Sequence, residues 1–248
     1  MGRRRRVRQR RHWLAAVVCL LATVGSLFLL YGLEYAYPAT ASGDAAAAEV
    51  YSGGGTRLLG AAERGGMRFV AYARETGNGT GRGVVRLERG WNGRYRPAES
   101  WEQAASLSAG VQPLTLLTDG GPLFALLGDG CAGIARFQVT CYDGTGSRSA
   151  PAAQGFDVPS ESFLRLLDAA ELEAALSLPA GTAGPMTRLE TTALLDADGT
   201  DVTAQYTLED SGLWSGGRRS AVPAQLYLCL ALTALAGLLA VAYCLQRR

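Results

Sequence analysis

The sequence predicts a membrane-anchored α+β protein: a mostly antiparallel, sandwich-like β domain with one short helix, flanked by two transmembrane helices. Three observations carry that prediction. Residues 13–33 and 226–245 are runs of 21 and 20 residues without a formal charge, and at 1.5 Å per residue each crosses a hydrocarbon core about 30 Å thick. Charge is segregated: seven arginines precede the first run and two follow the second, leaving 15 arginines against 22 acidic residues between them, a net of −7 inside an overall +2. Between the runs, apolar and polar residues alternate and Asn-Gly and Asp-Gly pairs interrupt them, the pattern of half-buried strands joined by tight turns.

The division that follows is a basic tail (1–12), a first span (13–33), an extracytoplasmic domain (34–225), a second span (226–245) and a short tail (246–248). The arginine cluster ahead of the first span sets the orientation, because Lys and Arg flanking the first helix hold that end in the cytoplasm. Both tails are then cytoplasmic. The second span adds little, since Arg218 and Arg219 on one side balance Arg247 and Arg248 on the other. Ala39-Thr40-Ala41 is an A-x-A pattern that a signal peptidase would accept, but 21 apolar residues exceed a normal signal-peptide core, and an uncleaved anchor is expected. Small residues recur at helical spacing in both spans, at Ala15, Cys19, Ala22 and Ser26 and at Cys229, Thr233 and Gly237. In so Ala-rich a chain, chance recurrence outweighs a packing motif.

Within the domain, residues 44–48 predict one or two helical turns. Strands are expected over 67–74, 83–89 and 94–98, joined by the glycine-rich loop 77–83 and by Asn92-Gly93. Residues 113–117 and 122–127 flank Asp119-Gly120-Gly121 as a further pair. Residues 134–142 alternate cleanly: Ala135, Phe137, Val139 and Cys141 share one face, and Arg136, Gln138 and Thr140 the other, so one side is buried and one wet. Residues 160–178 space their apolar positions as a helix capped by Ser160, although the first part also fits a strand. A last hairpin is expected where Leu189, Thr191, Ala193 and Leu195 alternate before Asp198-Gly199, and Val202, Ala204, Tyr206 and Leu208 after it.

Residues 134–139, Tyr142-Asp143-Gly144, Phe163 and the hairpin over 196–203 together resemble β-sandwich modules of membrane-anchored, uncharacterised surface proteins of Gram-positive bacteria. The resemblance covers about a third of the chain and implies a fold type without an activity. A bacterial source also agrees with a composition that is rich in Ala, Gly and Arg and contains no lysine.

The missing lysine removes Schiff-base chemistry, Ser-Lys dyads, the S-x-x-K motif and the P-loop. The single histidine, His12, precedes the first span, so the domain has no Ser-His-Asp or Cys-His nucleophile and no histidine metal ligand. An acidic exterior argues against nucleic acid. Asp196-Ala197-Asp198-Gly199-Thr200-Asp201 crowds oxygen ligands, but its glycine is fourth where an EF-hand loop needs it sixth, so a turn is expected. The glycines of 77–83 lack phosphate-loop spacing, and Asn78-Gly79-Thr80 is a glycosylation acceptor only in a eukaryotic host. Cys131 and Cys141 are a candidate disulfide, the only cysteines outside the spans. A straight strand between them would hold them roughly 30 Å apart at about 3.3 Å per residue, so either the chain doubles back or they do not bond.

No catalytic, cofactor-binding or metal-binding residue is assigned. The expected function is a non-enzymatic binding or accessory protein of the cell envelope, in contact with membrane lipids and with a membrane-protein or envelope partner. The alternatives are a regulator of surface polysaccharide export, which shares the two-span topology, and a glycan hydrolase using two carboxylates.

Overall fold

The computed structural model describes residues 2–76, 79–142, 154–208, 218–220 and 224–246. The chain divides into two compact units, one formed by Met1–Ala36, Gly90–Arg96 and Ala221–Arg248 and the other by Tyr37–Arg89 and Pro97–Ser220.

The first unit contains the long helices α1 (Gly2–Glu34) and α5 (Ala224–Gln246). Within them, His12–Glu34 and Gln225–Gln246 are long and apolar enough to cross a membrane, each with mean hydropathy 2.4. A soluble protein's core helix would hide such a surface, yet only 6% and 0% of the two apolar windows are buried. The helices pack antiparallel: Thr23 meets Gly237, and Leu27 and Tyr31 lie opposite Leu230 and Ala234. The face that α5 shields runs Leu226, Leu230, Thr233, Gly237, Ala240 and Cys244, a spacing of four and three that keeps one seam toward a partner helix. The seam of α1 includes Ala16, Cys19, Thr23, Leu27 and Leu30, whereas Ala15, Ala22 and Ser26 are exposed. Of the small residues singled out on α1, only Cys19 is on the seam. Thr233 and Gly237 are on it in α5, and Gly237 is there because a Cβ would come within 2.1 Å of the Thr23 hydroxyl.

The second unit is α+β, with mostly antiparallel sheets. Its first helix, α2 (Ala41–Ser52), is longer than the expected one or two turns. Thr40 accepts from the Gly43 amide at its start and Gly53, at φ +77°, ends it. The first sheet has the order β1-β2-β3-β4-β11, from β1 (Thr56–Arg64), β2 (Met67–Thr76), β3 (Gly79–Arg89), β4 (Tyr95–Ala104) and β11 (Arg218–Ser220). β2 to β4 form the expected meander, but residues 79–83 of the expected loop are the start of β3, paired with β2. β1 was not legible, because a bulge between Leu58 and Gly60 breaks its alternation and Leu59 is its one buried residue.

The second sheet, β5-β6-β9, joins β5 (Gly110–Thr118), β6 (Gly121–Asp129) and β9 (Phe163–Asp168); the third, β10-β7-β8, joins β7 (Arg136–Tyr142), β8 (Gln154–Asp157) and β10 (Arg188–Leu195). β6 is the strand on which the cores meet. Leu123, Ala125 and Leu127 enter an apolar cluster with Phe69, Ala71 and Val84 of the first sheet. Phe124 and Leu126 enter a second cluster with Phe137, Val139 and Leu194 of the third sheet. A strand buried on both faces must read as a continuous apolar run, and Pro122-Leu123-Phe124-Ala125-Leu126-Leu127 does.

Three expectations need correction. The helix over 160–178 is confined to α3 (Ala169–Ala175): the first part is β9, as the strand alternative expected, and α3 is capped by Asp168, not Ser160, through a box in which Asp168 accepts from the Glu171 amide and Glu171 from the Asp168 amide. The domain therefore carries α2, α3 and the single turn α4 (Thr203–Tyr206), not one short helix. The last hairpin is cut short after one antiparallel bridge, Leu195 to Asp201, with the Val202 amide donating to the Leu194 carbonyl at 2.8 Å. Asp196 does cap a tight turn, accepting from the amides of Asp198 and Thr200. The return segment then becomes α4 because Asp201 accepts from the amide and hydroxyl of Thr203, and β10 pairs with β7 instead. A bulge between Thr191 and Ala193 also swaps the parity of β10, so Leu189 and Leu194 are buried where strict alternation would have sent Leu195 inward. On β7, Phe137, Val139 and Cys141 are buried as expected, but Thr140 on the supposedly wet face is only 2% exposed.

Candidate functional site

The acidic side chains of the second unit are used mostly on arginines. Asp129, at the end of β6, is buried and takes both Arg57 Nη2 at 2.5 Å and Arg82 Nε at 3.0 Å. Arg82 is fully buried. It also donates to the Ser108 carbonyl at 3.3 Å, and burial pulls its affinity for a proton below the ordinary arginine value. Arg68 pairs with Asp44 of α2, and Arg74 with Glu102 of β4 at 2.9 Å. Arg64 of β1 reaches both Asp168 and Glu171 of the α3 capping box. The Glu171 amide, followed by Arg64, holds Asp168 below its usual range, and Arg64 holds Glu171 below its own. These contacts join separate strands and helices, a structural use of charge. A carboxylate held ionised by arginine is a poor general acid, because that role needs a raised pKa.

Cys131 and Cys141 enter the same apolar cluster, each as a thiol. Cys131 sits in the turn after β6, where its amide donates to the Glu161 carbonyl at 2.9 Å and its own carbonyl accepts from Ile134 at 3.0 Å. That turn folds the chain back between the two cysteines. Burial pushes the Cys131 thiol up, which makes it a poor nucleophile. Oδ1 of Asp196 and Oδ1 of Asp201 accept from local amides and, for Asp201, the Thr203 hydroxyl, and among the described residues no group of three or more His, Cys, Asp or Glu side chains is placed to hold a metal ion. Asn78 and the 143–144 pair lie outside the described residues.

The more informative cluster lies in the first unit, where the segment Gly90–Arg96 packs on the end of α1. Asn92-Gly93 makes the tight turn expected of it: Gly90 donates to Arg94 at 2.7 Å, and Gly93 has φ +75°. Trp91 stands edge-on to Phe28, with ring centroids 5.1 Å apart, and tilted against Tyr31 at 4.6 Å; Tyr31 in turn stacks on Tyr35 at 4.4 Å. The Tyr31 hydroxyl accepts from the Trp91 amide at 3.0 Å, and Asn92 donates to the Tyr35 carbonyl at 3.0 Å. Gly90 permits this approach, since a Cβ there would fall 2.6 Å from the Tyr35 ring. Arg96 is buried beside it, donating to the Tyr35 hydroxyl at 3.2 Å and lying 3.8 Å from Glu34. Arg94 donates to the Ala36 carbonyl at 3.2 Å and is exposed.

Below these rings a cleft of about 420 Å³ opens between the helices, lined by Leu27, Phe28, Tyr31, Trp91, Leu230 and Ala234. Its walls are almost wholly apolar. None of these residues was singled out from the sequence, although Tyr31, Tyr35 and Tyr37 at the end of a span are the usual sign of an aromatic belt at a membrane interface. Trp91 carried no such sign, because it lies 60 positions away along the chain from Tyr31. No family model, curated protein or solved structure matches the chain.

Proposed function

We propose that the chain is a non-enzymatic binding or accessory protein of the cell envelope, anchored in the cell membrane by α1 and α5, with both termini cytoplasmic and the β-rich unit outside. The observation that carries the anchoring is the antiparallel pair of exposed apolar helices ending in the collar of Phe28, Tyr31, Tyr35 and Trp91. Amphipathic rings favour the level where lipid tails give way to headgroups. Antiparallel packing places the start of α1 and the end of α5 together, as a shared cytoplasmic side requires. The reading as a binding protein is supported by the engagement of Asp44, Glu102, Asp129, Asp168 and Glu171 with arginines that join structural elements.

The test is chemical crosslinking in native membranes, followed by solubilisation and recovery of the full chain. The expected result is a reproducible membrane-protein or envelope partner, with the chain resisting alkaline carbonate extraction. Release by carbonate would remove the anchoring; extraction resistance without a recovered partner would remove the accessory role. Turnover of envelope glycans that is abolished by one acidic-to-amide substitution would replace this reading with the hydrolase.

A further inference from the structure

The cleft between α1 and α5 has apolar walls, and Arg94 is an exposed cation beyond its outer end. We propose that it is a specific site for an anionic glycerophospholipid, with an acyl chain between the helices under Trp91 and the phosphate on Arg94. This rests on the membrane-anchored reading above.

Depth supports the assignment. The cleft occupies Leu27 to Tyr31 on α1, which ends at Glu34, three to seven residues or roughly 5 to 10 Å further on at 1.5 Å per residue, and Arg94 is fastened just past that end, at Ala36. The headgroup region adds about 5 to 8 Å on each side of the hydrocarbon core. With Tyr31 at the edge of the core, the guanidinium of Arg94 stands at phosphate level. Charge supports it too. Arg96 is buried against Glu34 and Tyr35, so its charge is spent within the collar. Arg94 uses Nη1 on a backbone carbonyl and exposes the rest of its planar donor fork to solvent, and such a fork binds phosphate in two-point fashion. A partner transmembrane helix would fill the apolar walls equally well but would leave no role for a cation at headgroup depth. The rings of Phe28 and Trp91 meet at 78° and stand at one edge of an otherwise open cleft. Pocket shape with a placed charge is what distinguishes a lipid site from bulk solvation by tails.

The experiment is native mass spectrometry of the full chain, delipidated in detergent and titrated with phosphatidylglycerol or phosphatidylcholine of identical chains. The expected result is one tightly held phosphatidylglycerol, preferred over phosphatidylcholine by about tenfold. Arg94→Gln, at an exposed side chain, should erase the preference while some binding of both lipids remains. Ala234→Trp, which fills the cleft, should lower binding of both; Ala234→Leu is the milder second variant if the first fails to fold, judged by far-UV circular dichroism. Equal binding of the two lipids by the native chain, or an unchanged preference in Arg94→Gln, overturns the proposal. So does photocrosslinking from position 231 that captures a protein and no lipid. Carbonate extraction run alongside separates the failures: a chain that stays in the membrane but shows no preference loses only the lipid site, whereas a chain that is extracted loses the anchoring as well.

Discussion

Asp129 shows how a single residue ties the sheets together. It closes β6 and pairs with Arg82, which is fully buried, and with Arg57, which is exposed. Removing one member of a buried pair leaves an uncompensated charge and costs about 3–5 kcal/mol, whereas replacing both with apolar groups costs far less. Asp129→Asn should therefore lower the unfolding free energy of the full chain in detergent by that amount, seen as an earlier denaturant midpoint, and Arg82→Met with Asp129→Leu should recover a large part of it. Equal losses in the single and double variants would mean that the pair does not act as a unit. The capping box of α3 gives a pH prediction. Asp168 and Glu171 are both held below their ordinary values of 3.8 and 4.5, so the folded state binds their protons less readily than the unfolded chain. Their contribution is then complete above about pH 5 and is lost as pH falls through the ordinary values toward the lower folded ones. Hydrogen exchange of the α3 amides should quicken over that acid range. Asp168→Asn with Glu171→Gln should flatten the dependence, and a native chain whose α3 exchange is insensitive to acid would rule the linkage out.

At the scale of elements, two contacts make opposite demands on size. Gly237 must stay small because its missing side chain is where Thr23 sits. Gly237→Leu should weaken the α1–α5 pair by about 1–3 kcal/mol, the usual cost of overpacking, seen as earlier unfolding in detergent titrations. Gly237→Ala should cost less and be partly rescued by Thr23→Ala, a coupling that only a direct contact produces. On β6 the demand is for bulk. Phe124 and Leu123 are neighbours in sequence, yet they serve different clusters on opposite faces. Phe124→Ala should cost about 3–5 kcal/mol and Leu123→Ala about 2–5. Hydrogen exchange should show the first loosening β7 and β10 and the second loosening β2 and β3. Loss of protection in the same strands for both variants would contradict the division of the core. β10 shows why its partner could not be read from pattern: alternation fits any neighbour, and after one bridge to Leu195 the nearest candidate strand turns into α4 where Asp201 holds the Thr203 amide and hydroxyl.

For the molecule as a whole, the proposed orientation rests on the seven arginines ahead of the first span. Thr200→Cys places a thiol on an exposed turn of the second unit. In intact cells it should react with a membrane-impermeant maleimide, and replacing the N-terminal arginines with glutamine should shield it in a large fraction of molecules by inverting the chain. Labelling that does not respond to the arginines would shift the cause of orientation elsewhere.

The two apolar spans, the charge segregation, the β2-to-β4 meander and the Asn92-Gly93 turn were determined by the sequence alone. Each depends on local composition, turn chemistry or residue period, which neighbouring residues express without help. What only the tertiary structure decided depends on distant partners. Arg64 finds Asp168 across 104 positions and Trp91 finds Tyr31 across 60. The bulges at Leu59 and at Thr191 reverse a strand's facing with a single residue. Such choices follow from which surfaces remain to be covered once the sheets have packed, and a one-dimensional pattern carries no record of that.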